Sequence, residues 1–217
     1  MQRETQRGCQ MDASEIEALF TRADGGYVFA RWGRPIVPVV FGLSDETLPV
    51  VKGAVEAVVA LAGHQMAETD AELGANLMLF FLTDWDELLA VPKLGEMIPD
   101  VDALVGRLQA AGANQYRSFR FERNGAIKAA FVFVRMDAEL SALPAEDLAL
   151  NQAVQVILLW SERAFRERAA LANLGGVAVL RPEIGALIRA GYDRVMPVAA
   201  TDASHALRLA ARIAVAG

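Results

Sequence analysis

The chain has 217 residues, of which 54% are hydrophobic, so it can bury a sizeable apolar core. Its 21 Lys and Arg residues against 27 Asp and Glu residues give a formal net charge of −6, without the basic patch that nucleic-acid binders usually show. The single cysteine, Cys9, excludes an intrachain disulfide, and no apolar run precedes it as a lipid-attachment site or a secretory signal would require.

The first part of the chain predicts two helices and two strands. Residues 12–22 begin with good helix-capping residues and carry apolar residues on one face, which predicts a helix. Strands are predicted at 27–32 and 36–41, and Pro38 favours an edge position or a bulge for the second, because proline cannot donate a ladder hydrogen bond. Residues 44–61 repeat valine at helical spacing, which predicts the second helix.

The middle of the chain predicts the centre of a sheet. Residues 76–82 are nearly all apolar, as expected for a strand buried on both faces, and residues 64–69 form a shorter candidate strand. Helices are predicted at 84–91 and 101–111. Residues 116–135 give the clearest pattern: two alternating arms joined by Arg-Asn-Gly, in which Asn-Gly favours a hairpin turn because both positions accept positive φ.

After the hairpin the pattern is helical. A long helix is predicted at 145–160, and further helices at 162–174, 182–190 and 202–215. This order of elements predicts an α+β fold: a mixed β-sheet with packed helices and a helical C-terminal part.

We expect one domain behind a short tail. Residues 1–11 are mostly polar and are predicted to be disordered, while residues 12–217 form a single α+β domain with a sheet-containing part, 12–143, and a helical part, 144–217. The longest apolar run is interrupted by acids and amides, so no membrane span is predicted. As written, the chain is expected to be cytoplasmic, and it would be exported if its true start lies upstream.

The most informative segment is the helix predicted at 145–160, which carries Asn151, Gln152 and Gln155. In a zincin metalloprotease, a helix in this place reads His-Glu-x-x-His, with two imidazoles on zinc and the glutamate as general base. Neutral amides hold all three positions here. An amide oxygen is a weak zinc ligand, and Gln152 cannot accept a proton at neutral pH, so we expect no catalytic residue, no metal and no cofactor on this helix.

Two interpretations of these amides are open. They could be buried side chains that hydrogen-bond to the sheet edge or to neighbouring helices, since an unsatisfied buried amide costs about 1–3 kcal/mol. Alternatively, they line a polar cleft and bind a ligand. The only histidines are His64 and His205, and we interpret both as ordinary surface or partly buried residues, because a zinc site using both requires a fold that brings them together.

Short motifs spread over about residues 27–197 resemble one bacterial family. They are Phe-Ala-Arg-Trp at 29–32, Pro-Ile-Val at 35–37, Leu-Ala-Gly at 61–63, Ala-Asn-Leu at 75–77, the hairpin residues 125–132, and Leu-Ile-Arg-Ala and Tyr-Asp-Arg at 187–190 and 192–194. This domain-of-unknown-function family is mostly alphaproteobacterial, usually secreted, and regarded as related to zinc-dependent proteases. The resemblance implies a zincin-like fold. Members typically have Glu-Glu-x-x-Gln on the helix after the hairpin, where this chain keeps only Gln155.

Two further groups of residues could contribute to a ligand site. Arg31 stands beside Trp32, and such a pair can bind a carboxylate or stack on a ligand, or can be a solvent-exposed pair at a strand end. Asp84, Asp86 and Glu87 follow the predicted central strand, where acids can bind a divalent cation or act as acid and base. Acids in the first turn of a helix are also favoured by the helix dipole.

Three hypotheses of function follow. The first is a non-catalytic zincin-like domain that binds a peptide, a protein or a small ligand through Asn151, Gln152, Gln155, Arg31 and Asp84. The second is a hydrolase that uses cleft carboxylates or a rebuilt metal site, with acids such as Asp84 facing the cleft near Gln155. The third is a structural or oligomer-forming domain, for which the high apolar fraction suggests a homodimer. None of the three involves nucleic acid.

Overall fold

The structure is a computed structural model that describes residues 11–216, and helices alternate with strands along this range. The α-helices are α1 (Ala13–Phe20), α2 (Leu48–Leu61), α3 (Leu94–Met97), α4 (Val101–Ala110), α5 (Ala138–Ser141), α6 (Ala145–Ile157), α7 (Pro182–Gly191) and α8 (Ser204–Ala216). The strands are β1 (Phe29–Ala30), β2 (Pro38–Phe41), β3 (Leu77–Leu82), β4 (Gln115–Phe121), β5 (Ile127–Arg135), β6 (Leu171–Leu174), β7 (Val177–Leu180) and β8 (Ala199–Ala200). The predicted disordered segment, residues 1–11, lies outside the described residues except for Met11, which packs against the core.

A four-stranded sheet in the order β2-β3-β5-β4 forms the centre of the fold. β2 and β5 run parallel to β3, while β4 runs antiparallel to β5. The sheet is therefore mixed, as predicted, and β3 is an inner strand buried on both faces. Pro38 begins β2 at one edge of the sheet, where a residue without an N–H group interrupts no ladder. At the opposite edge, β4 pairs only with β5 within the described residues.

Helices cover both faces of this sheet because side chains of successive strand residues point to opposite sides. On β3, Leu79 packs into a large core that includes α2 and α6, whereas Phe80 packs into a second core with α4. The second core also contains Trp85 of a 3₁₀-helix, Trp85–Ala90. The α+β class predicted from the order of elements is confirmed.

The first two helices form for local reasons that the sequence displays. Asp12 caps α1 in a reciprocal box, in which its carboxylate accepts from the Glu15 N–H and the Glu15 carboxylate accepts from the Asp12 N–H. In α2, proline occupies the tolerant first turn, and the valine stripe is buried against the large core. Gly63 follows α2 at a φ of +65°, the left-handed conformation that commonly ends a helix.

Two of the predicted elements are present in a reduced or altered form. The strand predicted at 64–69 is reduced to a single bridge between Ile36 and Met66. The helix predicted at 84–91 is a 3₁₀-helix, which Asp84 caps by accepting from the Asp86 N–H at 3.0 Å.

The predicted helix at 162–174 is wrong. Turns lead instead into the antiparallel hairpin of β6 and β7. Gly175 and Gly176 form its two-residue loop with φ values of +63° and +94°, a conformation that suits a hairpin turn and that glycine adopts without steric strain. The C-terminal part, 144–217, is therefore not purely helical, contrary to prediction.

The C-terminal elements of the chain pack against its N-terminal elements. β8 pairs antiparallel with β1, and α8 packs beside α1. One continuous core contains both Ile16 of α1 and Ile213 of α8. Within residues 11–216, no helix combines the length and the apolar character needed to cross a membrane.

Candidate functional site

Donors from other parts of the fold hold the C-terminal end of α6. The last four carbonyl groups of a helix have no partner within it. Three of these groups in α6 accept hydrogen bonds of 2.8 Å from the indole nitrogens of Trp160 and Trp32 and from the hydroxyl of Tyr192. The helix that carries the three amides is therefore fixed against its surroundings.

Gln152 lies in the middle of α6 and is fully buried. Its Oε1 accepts a hydrogen bond from Nη2 of Arg117 at 2.7 Å, and its Nε2 donates to Oε1 of Gln115 at 2.9 Å. The same Nη2 of Arg117 donates to Oε1 of Gln115 at 2.8 Å, which closes a triangle of three side chains. Gln152 thus makes the bonds to the sheet edge that a buried amide requires, as one of the two interpretations predicted.

Arg117 reaches α6 because alternate residues of β4 face the same side of the sheet. Gln115, Arg117 and Phe119 point to the α6 side, and Tyr116 packs on the opposite side. Burial lowers the pKa of Arg117 to about 10, so the guanidinium stays charged at neutral pH. Among the described residues no carboxylate forms an ion pair with it, and its Nε is buried without a hydrogen-bond partner. A cation is therefore held by two neutral amide oxygens.

Asn151 and Gln155 lie one turn apart on the more open side of α6, where both are half-buried. Successive helix residues are rotated by about 100°, which places Gln155 on the face next to Gln152. Neither Asn151 nor Gln155 makes a side-chain hydrogen bond to another described residue. We call Gln115, Arg117, Asn151, Gln152 and Gln155 the α6–β4 site; it combines two unused amides with one guanidinium.

The α6–β4 site does not fit a zinc ion. Zinc binds imidazole, thiolate or carboxylate groups, and the three helix positions offer neutral amides. The oxygen of Gln152 already accepts from Arg117, whose positive charge would repel a metal cation. Within residues 11–216, no three His, Cys, Asp or Glu side chains come together in a group that could hold a metal ion.

The two histidines have separate surroundings. His64 is half-buried, its Nε2 lies 2.8 Å from the carbonyl oxygen of Arg34, and burial lowers its pKa. His205 is buried on α8, and its Nδ1 lies 2.8 Å from the hydroxyl of Tyr27. Each ring therefore has a structural contact of its own.

Arg31 is placed at the C-terminal end of α6, where its backbone bridges Leu158. Its guanidinium lies over the ring of Tyr192 at 5.3 Å, and its Nη2 donates to the carbonyl oxygen of Met196 at 3.4 Å. The Nε atom is buried without a partner, and burial lowers the pKa of the side chain. Arg31 thus borders the same helix as the amides but forms no hydrogen bond with them.

Asp84 lies away from the α6–β4 site. It is exposed, caps the 3₁₀-helix, and belongs to the layer that packs on the opposite face of the sheet with α4. Its neighbour Asp86 accepts from Gln109 of α4, and Glu87 accepts from the backbone N–H of Thr83. These acids stabilise helix ends, so their positions do not support the expectation that they face a cleft near Gln155.

The sequence interpretation missed Gln115 and Arg117. One signal in the sequence could have indicated them. Gln115, Arg117 and Phe119 are alternate residues of the first hairpin arm, so the two polar side chains lie on the same face as the apolar Phe119, the face that the strand buries. The sequence does not show which element packs on that face, so the alternation alone does not identify the helix that the guanidinium of Arg117 contacts.

No known protein family, curated protein or solved structure matches the chain. The α+β class therefore rests on the mixed sheet and the helices that cover it. The zincin-like relationship stays a prediction from the motifs of the chain.

Proposed function

We propose that the protein is a non-catalytic, zincin-like domain that binds an extended peptide segment at the α6–β4 site. The observation that carries this proposal is the hydrogen bond between Gln152 and Arg117. At the helix position where a zincin has its glutamate base, this chain has a buried amide whose oxygen is used to hold a cation.

The chemistry of Gln152 supports binding rather than hydrolysis. An amide has no proton-accepting state at neutral pH, so it cannot activate water as a general base. Both polar atoms of Gln152 are occupied by side chains of β4. A water molecule would have to displace one of these bonds and leave a buried group without its partner.

The edge position of β4 supports a peptide as the ligand. An edge strand presents backbone N–H and C=O groups that are not used inside the sheet, and an extended peptide can pair with them as an additional strand. Asn151 and Gln155 lie on the helix that faces this strand, and their unused amides can both donate to and accept from a peptide backbone.

The charge of Arg117 supports a carboxylate in that peptide. Arg117 has no ion pair within the described residues, and its Nε has no hydrogen-bond partner, so a carboxylate can bind the guanidinium without displacing the two amide oxygens. Hydrogen bonds between two charged groups are the stronger ones. An acidic side chain or a C-terminal carboxylate would supply this partner. We therefore expect acidic peptides to bind better than their neutral analogues.

A peptide array followed by fluorescence anisotropy tests the proposal. Fluorescent decapeptides with one Glu should bind more tightly than the same peptides with Gln, and Asn151→Ala combined with Gln155→Ala should weaken binding about tenfold, a loss of roughly 1.4 kcal/mol. Asp84→Ala serves as the matched control and should leave binding unchanged. Equal binding by the double variant, or peptide cleavage when zinc is supplied, would show that the proposal is wrong.

A further inference from the structure

A second candidate site lies away from α6 and β4. A cavity of about 980 Å³, open to solvent on one side, is bordered by α1, residues 163–169 and the start of α7. No residue of α6 or β4 lines it. Pockets that hold small molecules usually measure roughly 300–1,000 Å³, so this cavity has room for one.

Arginines without ion pairs surround this cavity. Arg163, Arg166, Arg168 and Arg181 all line it, and within residues 11–216 only Arg168 forms an ion pair, with Glu183 at 2.6 Å. No carboxylate within residues 11–216 lies within ion-pair distance of the other three arginines. Four glutamates, Glu15, Glu17, Glu167 and Glu183, also line the cavity, so its formal charges balance. What distinguishes the cavity is that, among the described residues, three of its four arginines make no ion pair with these acids.

Backbone contacts position two of these guanidinium groups. Arg166 donates through Nε to the carbonyl oxygen of Glu162, and Arg181 donates through Nε to the carbonyl oxygen of Ala169, each at 2.9 Å. Both bonds use the inner nitrogen, so the terminal nitrogens stay available for a ligand. Guanidinium groups with free terminal nitrogens suit a carboxylate or a phosphate, which can accept two parallel hydrogen bonds.

The start of α7 adds to the attraction for an anion. Arg181 is the N-cap residue and provides no side-chain cap, and Pro182 follows it as the first helical residue. The first N–H groups of a helix carry partial positive charge. Glu183 lies in the first turn of α7 and pairs with Arg168, and among the described residues Arg163, Arg166 and Arg181 are the arginines of the cavity without an ion pair.

Apolar side chains form part of the cavity wall, beside Ser14, Thr21 and the glutamates. Leu19, Ala164, Phe165 and Ile184 line it, and the Phe165 ring packs edge-on against Trp160 with centroids 4.9 Å apart. Phe165 has a φ of +64°, which is rare for a bulky residue and adds strain that the surrounding contacts must offset. The Phe165 ring thus lies in the cavity wall, and Arg163 and Arg166 flank Phe165 in the sequence.

We propose that this cavity binds an organic anion with an apolar body. Its carboxylate or phosphate would contact Arg163, Arg166 and Arg181, and its hydrocarbon part would lie against Leu19 and Phe165. The proposal is independent of the peptide site, because the two sites share no residue.

Isothermal titration calorimetry with decanoate and decyl phosphate tests this inference. Both anions should bind with one site per chain, whereas neutral decyl maltoside and cationic decyltrimethylammonium should bind at least about tenfold more weakly. Equal binding of the neutral amphiphile, or no anion binding below about 1 mM, would overturn the proposal.

Variants locate the binding on the cavity. Arg163→Gln combined with Arg166→Gln should weaken decanoate about tenfold to a hundredfold, because each removes a charge-assisted hydrogen bond. Arg107→Gln is the control: Arg107 is exposed on α4, on the other face of the sheet, and forms no ion pair with another described residue. Unchanged decanoate binding by the double variant, or an equal loss in the control, would exclude this cavity as the site.

Vesicle flotation distinguishes a free amphiphile from a lipid headgroup. The hairpin of β6 and β7 extends from the cavity wall, and Leu174 and Val177 at its tip are 66% and 62% exposed. If the anion belongs to a bilayer, the protein should float with phosphatidylglycerol-containing vesicles, and Leu174→Ser with Val177→Ser should abolish flotation but not decanoate binding. If the anion is a free molecule, neither protein should float, while both should bind decanoate.

Discussion

Oε1 of Gln152 lies 2.7 Å from Nη2 of Arg117, and this hydrogen bond joins the middle of α6 to the edge strand of the sheet. A guanidinium carries five N–H donors and stays charged at neutral pH, so burial requires acceptors around it. The amide oxygens of Gln152 and Gln115 supply two of them. Gln152 is therefore part of a structural contact.

Replacement of Gln152 by Leu should destabilise the fold markedly. The variant removes an acceptor from a buried charge and a donor from Gln115, and each unsatisfied buried group costs about 1–3 kcal/mol. We expect a total loss of about 2–4 kcal/mol in the free energy of unfolding, measured by urea denaturation. Gln155→Leu is the matched control and should change stability by less than about 0.5 kcal/mol, since Gln155 is half-buried and bonds to no described side chain. Similar losses in both variants would mean that the contact with Arg117 contributes little.

Protein purified without chelators and incubated with zinc should contain no stoichiometric metal by elemental mass spectrometry. The three helix positions carry neutral amides, and the guanidinium of Arg117 lies beside them. Asn151→His combined with Gln155→His provides the positive control, because two imidazoles one turn apart on an open helix face can share a zinc ion. Zinc in the original protein would point to ligands elsewhere and would remove the main argument against hydrolysis. A double variant without zinc would show that the two positions do not share an open face.

Much of the fold follows from local patterns. The Asn-Gly hairpin, the apolar central strand and the valine stripe of α2 each have a period that identifies the element without knowledge of its neighbours. The hairpin of β6 and β7 was missed because residues 162–170 are rich in Arg, Glu and Ala, which favour helix, and only Gly175 and Gly176 indicated a turn. The pairing of β1 with β8 joins residues far apart in sequence, and no local pattern reveals such a contact.

Only the part of the candidate site that lies on α6 could be predicted from the sequence. The spacing of Asn151, Gln152 and Gln155 on one helix is local, and α6 has that geometry. The different environments of the three amides are set by packing: Gln152 meets β4, while its two neighbours stay half-exposed. The contribution of Arg117 depends on the order of strands in the sheet, which hydrophobic periodicity does not determine.

The stability of the protein should fall as the pH drops below about 6.5 because of His205. Burial lowers the pKa of His205 to about 4, and its Nε2 is buried without a hydrogen-bond partner, so the folded state favours the neutral ring. The unfolded chain binds a proton near its ordinary pKa of about 6.5. The contribution of the neutral ring is therefore complete above pH 6.5 and is lost as the pH falls towards 4, by about 2 kcal/mol at pH 5.

His205→Gln isolates this effect, because glutamine does not titrate and can still bond to the hydroxyl of Tyr27. Urea denaturation at pH 7 and at pH 5 should give a smaller loss of stability for the variant than for the original protein. Other groups with lowered pKa values, such as His64 and Asp137, are present in both proteins and cancel in the comparison. Parallel stability curves over this pH range would contradict the assignment to His205.

Gly42→Ala should destabilise the sheet more than Gly63→Ala, although both glycines have positive φ. Gly42 follows β2 at a φ of +82°, and a Cβ atom there would collide with the backbone carbonyl oxygen of Phe81 on the neighbouring strand β3. Gly63 follows α2 at +65°, and a Cβ atom there would meet no atom within 4 Å. The left-handed conformation alone costs about 1–2 kcal/mol in each variant. The collision at Gly42 pushes apart two paired strands, so its loss in urea denaturation should exceed that of Gly63→Ala by at least about 1 kcal/mol. Equal losses would mean that the end of β2 can move away from β3 without disturbing their pairing.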